Sequence, residues 1–170
     1  CLTAVAFTAK GFVADLSAET LQGTTANAWQ LGQAVNLEKA LTPNKPLGGH
    51  VVSGHVDGIG RITHFAPVGE SWLLRLDVPS SLAKFLAYKG SITVNGVSLT
   101  VNAVRDEADG CEFSINLIPH TIENTALGTL QKGSPVNLEI DLIARYVERM
   151  LSNEASANSA ASAFQAGQQH

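Results

Sequence analysis

Between residues 72 and 118 the hydrophobic and polar positions run in short, partly alternating stretches. Trp72-Leu-Leu-Arg-Leu-Asp-Val78 is one; Ser91–Val94, Val97–Val101 and Cys111–Ile118 are others. Alternation of this kind places successive side chains on opposite faces of a sheet, so all four read as strands. Asn95-Gly96, flanked by valines, predicts a tight hairpin because both residues tolerate positive φ. Ser80–Ala87 predicts one short helix, and Leu2–Ala6 is apolar and β-prone, so the sequence opens in mid-strand. Many short strands with evenly spaced turns point to a small closed barrel, which leaves no exposed sheet edge. The period changes at Asp141. From there Leu142, Ile143, Tyr146, Val147, Met150 and Leu151 share one helical stripe, with Asp141 placed to cap the first turn. Such a face needs cover, by self-association or by docking on its own barrel, and the pattern leaves both open. Residues 152–170, rich in Ser, Ala, Asn and Gln, read as a mobile tail.

The chain also repeats itself. At an offset of 101, Phe12–Thr20 lies over Phe113–Thr121, Thr24 over Thr125, Gly32 over Gly133 and Val35-Asn-Leu-Glu38 over Val136-Asn-Leu-Glu139, with 10 identities in 28 ungapped positions. At an offset of 97, Cys1-Leu2-Thr3 lies over Ser98-Leu99-Thr100. The second copy holds about 45 residues ahead of Ser98 with no counterpart ahead of Cys1. A similar upstream stretch, absent from this sequence, is therefore expected, and the first copy is expected to be incomplete.

Composition narrows the classes. The 170 residues are 45% hydrophobic and 15% charged, ordinary for a globular protein, and carry a net charge of −4 with no basic block. Nucleic acid and anionic membranes are thus poor partners. No apolar run is long enough to span a bilayer, and no secretory leader is apparent. Cys1 and Cys111 form neither a disulfide framework nor a zinc spacing, which suits a reducing, cytoplasmic setting.

The densest candidate for chemistry is Gly48-Gly-His-Val-Val-Ser-Gly-His-Val-Asp-Gly58. As a metal site it does poorly: His50 and His55 are five apart, on opposite faces of a strand, and no Cys or acidic cluster completes a ligand set. The glycines lack the order of a phosphate loop. The bland reading is a glycine-rich barrel corner; the functional one is a backbone approaching a flat ligand, with His55 available for proton transfer. Ser98 and Thr100 share a strand face, and Cys1 and Thr3 repeat that arrangement. A single polar strand face is ordinarily just solvated, but its recurrence in both copies favours a ligand-lining role. Lys89 precedes a turn glycine, either as a surface lysine or as a partner for an anionic or carbonyl-rich ligand. The loops Asp15–Thr20 and Ile118–Glu123 follow matching strands of the two copies, and loops on a rigid barrel commonly carry function.

Together, Cys1-Leu-Thr3, Gly49–Asp57, Tyr88–Val101, Asn116–Thr121 and Asp141–Arg149 resemble riboflavin synthase of the α-subunit type, and they span most of the chain up to Leu151. The resemblance implies an all-β fold of two tandem six-stranded Greek-key barrels plus a C-terminal helix. Residues 1–47 would be the remainder of an N-terminal lumazine-binding barrel, 48–140 the C-terminal barrel, 141–151 an oligomerisation helix and 152–170 the tail. It also implies dismutation of two 6,7-dimethyl-8-ribityllumazine molecules to riboflavin and 5-amino-6-(ribitylamino)uracil. The resemblance further implies that no cofactor or metal takes part, that the chain forms a homotrimer and that lumazine synthase is a candidate partner. The site would form between the N-barrel of one subunit and the C-barrel of its neighbour. Carried over by position, the C-barrel pocket would use Gly54, His55, Val56, Lys89, Ser98, Leu99, Thr100, Ile118, Pro119, His120, Thr121, Ile122 and Glu123. The N-barrel pocket would use Cys1, Leu2, Thr3, Asp15, Leu16, Ser17, Ala18, Glu19 and Thr20. Cys1, His55 and Ser98 are the catalytic candidates. Asn95 stands where many relatives carry an acid, which argues against a proton role there. The alternative is a non-catalytic lumazine- or flavin-binding protein of the same ancestry.

Overall fold

The alternation around residue 72 is the inside–outside pattern of a sheet. The computed structural model describes residues 1–166, with side chains to residue 154. Its strands are β1 (Ala4–Thr8), β2 (Gly11–Ala14), β3 (Gly58–Val68), β4 (Ser71–Pro79), β5 (Ser91–Val94), β6 (Val97–Thr100), β7 (Ala103–Glu107), β8 (Gly110–Leu117) and β9 (Pro135–Ile140). The helices are α1 (Ala18–Gly23), α2 (Ser80–Ala83), α3 (Pro119–Asn124) and α4 (Leu142–Ala166), with single 3-10 turns at Thr25–Ala28 and Ala126–Thr129.

β3 to β9 form one antiparallel sheet in the order β6-β5-β9-β3-β4-β8-β7. Its two edge strands are neighbours in the chain, separated only by Val101 and Asn102. The Val101 N–H donates to the Gly90 carbonyl at 2.9 Å, beside β5, and the Asn102 N–H to the Ser114 carbonyl of β8 at 2.8 Å. Val97–Glu107 is thus one strand, bent in the middle, that pairs with β5 through its first half and β8 through its second. The bend curls the sheet on itself, and counted this way the barrel has its six strands. The pairings β4–β8 and β3–β9 skip along the sequence, as Greek-key connections do. Ile62, Leu74, Leu76, Phe113, Ile115, Leu117 and Leu138 fill the interior. Each such full burial contributes roughly 1.5–3 kcal/mol. At the Asn95-Gly96 turn, φ values of 48° and 82° match the twist of the paired strands.

The first copy supplies the hairpin β1–β2, α1 and the turn Thr25–Ala28. Its local structure reproduces the second copy. α1 and α3 each end at a threonine of near-identical backbone, Thr24 at φ −135° and Thr125 at φ −134°. Each hydroxyl donates four residues back, to the Thr20 carbonyl at 2.6 Å or the Thr121 carbonyl at 2.7 Å. Each also accepts from the N–H two residues ahead. The copies hold one another by a reciprocal clasp: the Asn36 side-chain carbonyl accepts the Ala126 N–H, and that of Asn137 accepts the Thr25 N–H, both at 2.7 Å. These four residues are themselves related by the offset of 101. The apolar side chains of the β1–β2 hairpin stay open to solvent, Phe7 most of all.

α4 begins where expected, with the Asp141 carboxylate accepting the Ile143 N–H at 2.8 Å. It does not stop at Leu151. The helix continues to Ala166, through most of the stretch expected to be a mobile tail, and its alanines, the best helix formers, favour that continuation; residues 167–170 lie outside the described residues. Its polar face meets the barrel through Arg145–Asp57 (2.6 Å) and Lys84–Glu148 (2.8 Å). The Lys84 ammonium holds the Glu148 carboxyl below its ordinary value. The apolar stripe turns outward, with Ile143 73% and Tyr146 62% exposed, so it is not docked on its own barrel. The helix expected over 80–87 is only the single turn α2.

Candidate functional site

In the first copy, a hollow of about 250 Å³ is lined by Cys1, Leu2, Thr3, Val5, Asp15, Ser17 and Thr20. Six of these seven are residues singled out from the sequence; of the first-copy candidates, Leu16, Ala18 and Glu19 do not line it. The hollow forms because Ser17 caps α1, its hydroxyl accepting the Thr20 N–H at 3.1 Å and lying 3.0 Å from the Thr20 hydroxyl. This turns the loop after β2 back over the segment that leads into β1. Cys1 is exposed there. Cys111 is the opposite case: it lies in the barrel core, where burial and then the nearby Asp106, Glu107 and Asp77 carboxylates push its thiol up.

In the second copy the glycine-rich segment lies across the ends of β5, β6 and β9. His50 Nδ1 sits 2.8 Å from Ser98 Oγ, and its Nε2 sits 3.2 Å from the hydroxyl of Thr93, which is buried on β5. Ser98 and Thr93 are directly paired across β5 and β6, so one imidazole spans both. Five residues on, His55 is exposed; the segment between the two histidines is not the strand expected there but an irregular loop that turns at Gly54. Between the two histidines the Glu139 carboxylate accepts the Ser53 N–H and Ser53 hydroxyl, each at 2.7 Å, and the Gly54 N–H at 3.0 Å. Gly54 has φ +76°, open to glycine and strained for other residues. Its carbonyl meets the Cys1 amino nitrogen, so the first-copy hollow and the His55 loop abut.

The remaining second-copy candidates are more dispersed. Lys89 is exposed, with φ 63° and its ammonium 5.5 Å from the Tyr88 ring. Leu99 is half-buried and Thr100 exposed on β6. Ile118, Pro119, His120 and Glu123 project at the surface around α3, and Thr121 and Ile122 are half-buried. Val56 is half-buried beside His55. Asn95 is structural: its side chain accepts the Asn137 N–H at 2.8 Å and its backbone carbonyl accepts the Asn36 amide at 2.8 Å. Sequence reasoning missed Thr93 and Glu139, and weighed His50 only as a metal ligand. The Asn-Leu-Glu identity between the copies was the available signal for Glu139. Among the described residues no three His, Cys, Asp or Glu side chains converge as a metal site would require, and no helix is long and apolar enough to cross a membrane.

Comparison with known proteins bears on this arrangement. A family model described as the lumazine binding domain matches residues 1–40 and 53–141. The riboflavin synthase of Photobacterium phosphoreum is 48% identical over 151 residues, 89% of this chain and 67% of that protein. That of Mycobacterium tuberculosis (strain ATCC 25618 / H37Rv) is 44% identical over 153 residues, 89% of this chain and 75% of that protein. Among solved structures, LumP complexed with 6,7-dimethyl-8-(1'-D-ribityl) lumazine superposes with a TM-score of 0.70 at 26% identity, covering 81% of this chain and 72% of that one. LumP complexed with riboflavin gives a TM-score of 0.68 at 26% identity, covering 82% and 73%.

Proposed function

The chain belongs to the riboflavin synthase family of lumazine-binding proteins, and from that premise we propose how its residues dismutate two 6,7-dimethyl-8-ribityllumazine molecules to riboflavin and 5-amino-6-(ribitylamino)uracil. The observation that carries the reading is the paired site. Cys1-Leu-Thr3 and Ser98-Leu-Thr100 are matching segments of the two copies, each accompanied by the same threonine-terminated helix, and the reaction consumes two identical substrates.

The C7 methyl of the lumazine is acidic because its carbanion delocalises into the ring. His55, exposed beside Gly54, takes and returns that proton, since imidazole exchanges protons near neutral pH. Cys1, Ser98 and Thr100 orient the second ring or add to it transiently, activating it for attack. A four-carbon unit then passes from one ring to the other. The two products together contain every atom of the two substrates, so no oxidant or reductant is consumed. Holding the two rings face to face supplies much of the acceleration. Lys89, Leu99, Val56 and the loops 15–20 and 118–123 bind the ring and ribityl groups. The outward stripe of α4 supports a homotrimer, in which the N-barrel of one subunit meets the C-barrel of the next. Association with lumazine synthase and a cytoplasmic setting remain part of the proposal, with no surface assigned to the former.

The test is incubation with 6,7-dimethyl-8-ribityllumazine without cofactors, following both compounds by chromatography. Riboflavin forming at half the molar rate of lumazine loss is expected, and lumazine bound but unchanged would overturn the reading. His55→Gln is expected to lower turnover by about 10²-fold or more, the usual worth of a general acid–base. Full turnover in Cys1→Ser or Ser98→Ala would remove those residues from the chemistry.

A further inference from the structure

We propose that Glu139 is a positioning residue of this site: its buried carboxylate sets the backbone that presents His55 to substrate. The inference rests on the assignment of His55 as the proton carrier. Glu139 lies on β9 between the core residues Leu138 and Ile140 and is only 5% exposed. A carboxylate at a buried strand position is costly unless its hydrogen bonds are satisfied, and its partners explain its presence. One oxygen takes the Ser53 N–H and hydroxyl, each at 2.7 Å, and the other takes the Gly54 N–H at 3.0 Å. Two consecutive backbone N–H groups converging on one anion make a rigid local nest. His55 is the next residue. Beyond it the loop is fastened again: the Asp57 N–H donates to the Leu138 carbonyl at 2.8 Å, and the Asp57 carboxylate accepts the Ile140 N–H at 2.9 Å and Arg145 at 2.6 Å. β9 therefore grips the segment on both sides of an exposed imidazole, which holds an otherwise free loop tip in one place. At the matching position of the first copy, Glu38 pairs at the surface with Lys45 (3.1 Å).

The experiment is a double-mutant cycle in the full-length protein, with steady-state riboflavin formation, lumazine binding by fluorescence and thermal melting measured in parallel. Glu139→Gln keeps the shape and one acceptor but removes the charge. It is expected to lower kcat by about 10²-fold, the scale of a displaced catalytic group, with KM and lumazine affinity little changed. In a His55→Ala background the same substitution is expected to cost nothing further in kcat. An equal loss in both backgrounds, or an unchanged kcat in the single variant, would overturn the proposal. If Glu139→Gln does not fold, Ser53→Ala removes one donor and is expected to lower kcat by about tenfold, the worth of one hydrogen bond to a charge, again only when His55 is present; a loss independent of His55 would refute the role. The failures separate cleanly. Wild-type protein that binds lumazine without forming riboflavin refutes the functional reading, whereas wild-type turnover in His55→Ala refutes the positioning role alone.

Discussion

Lys89 adopts φ 63°, in the left-handed region that residues with a Cβ occupy at a cost of about 1–2 kcal/mol. Its N–H donates to the Val101 carbonyl at 2.8 Å, so the conformation is tied to the bend that joins β6 to β7. Glycine would fill the position without strain, and a lysine kept there is explained by its side chain, exposed at the end of the strand pair that carries Ser98 and Thr100. Lys89→Gly is therefore expected to hold or raise stability, by up to about 1 kcal/mol, while raising KM for lumazine by about tenfold, the worth of one charged hydrogen bond. Thermal melts beside steady-state kinetics check both halves, and wild-type KM in the variant would reduce Lys89 to a turn residue. Its place before Gly90 marked it as a turn residue in the sequence. Its left-handed backbone left no such mark, because that is imposed by a partner twelve residues away.

At the scale of elements, β4, β7 and β8 place Asp77 across from Glu112, and Glu112 across from Arg105. Desolvation raises the Asp77 carboxyl above its ordinary value, the Glu107 and Glu112 charges raise it further, and Arg105 opposes them. Between the ordinary carboxylate value and the raised one, the native state holds a proton that the unfolded chain has released, so stability falls as pH rises through that window. Asp77→Asn is expected to stabilise the protein at pH 7, within about 0.5 kcal/mol because the site is largely solvated, with the gain vanishing at pH 3. Thermal melts at the two pH values decide it, and a variant less stable at pH 7 would show that Asp77 contributes favourably. β4 and β8 were legible because their faces differ, one buried and one wet. β3 and β9 were not. β3 carries Gly58, Gly60 and Pro67, which blur its period, and β9 opens on a proline and buries Glu139 on the face opposite Val136, Leu138 and Ile140, beneath Ser53 and Gly54, so polarity there no longer reports burial. The hollow and the loop show the same division: the repeat marked Cys1, Thr3, Asp15, Ser17 and Thr20, which line the first-copy hollow, whereas the contacts of Thr93 with His50 and of Glu139 with Ser53 and Gly54 join segments distant in the chain and arise only in the fold.

For the whole molecule, the outward apolar face of α4 matters most. Arg145 and Glu148 fasten the helix to the barrel and thereby orient Ile143, Tyr146, Val147 and Met150 to solvent. A contiguous exposed apolar stripe on a rigidly held helix is the signature of an association surface, and in the proposed homotrimer the packing of such helices would bring the first copy of one subunit beside the second copy of the next. Arg145 bonds the same Asp57 that closes the His55 loop, so α4 and that loop share an anchor. The double variant Ile143→Asp, Met150→Asp places two charges in that seam without touching barrel, loop or clamp. It is expected to be monomeric by light scattering, and the parent protein trimeric. It should bind lumazine as the parent does and lose riboflavin formation by at least about 10²-fold, because each half-site would remain while the second ring lost its position. Undiminished turnover by a monomer would instead mean that both substrates are held within one chain, across the junction where Cys1 meets Gly54.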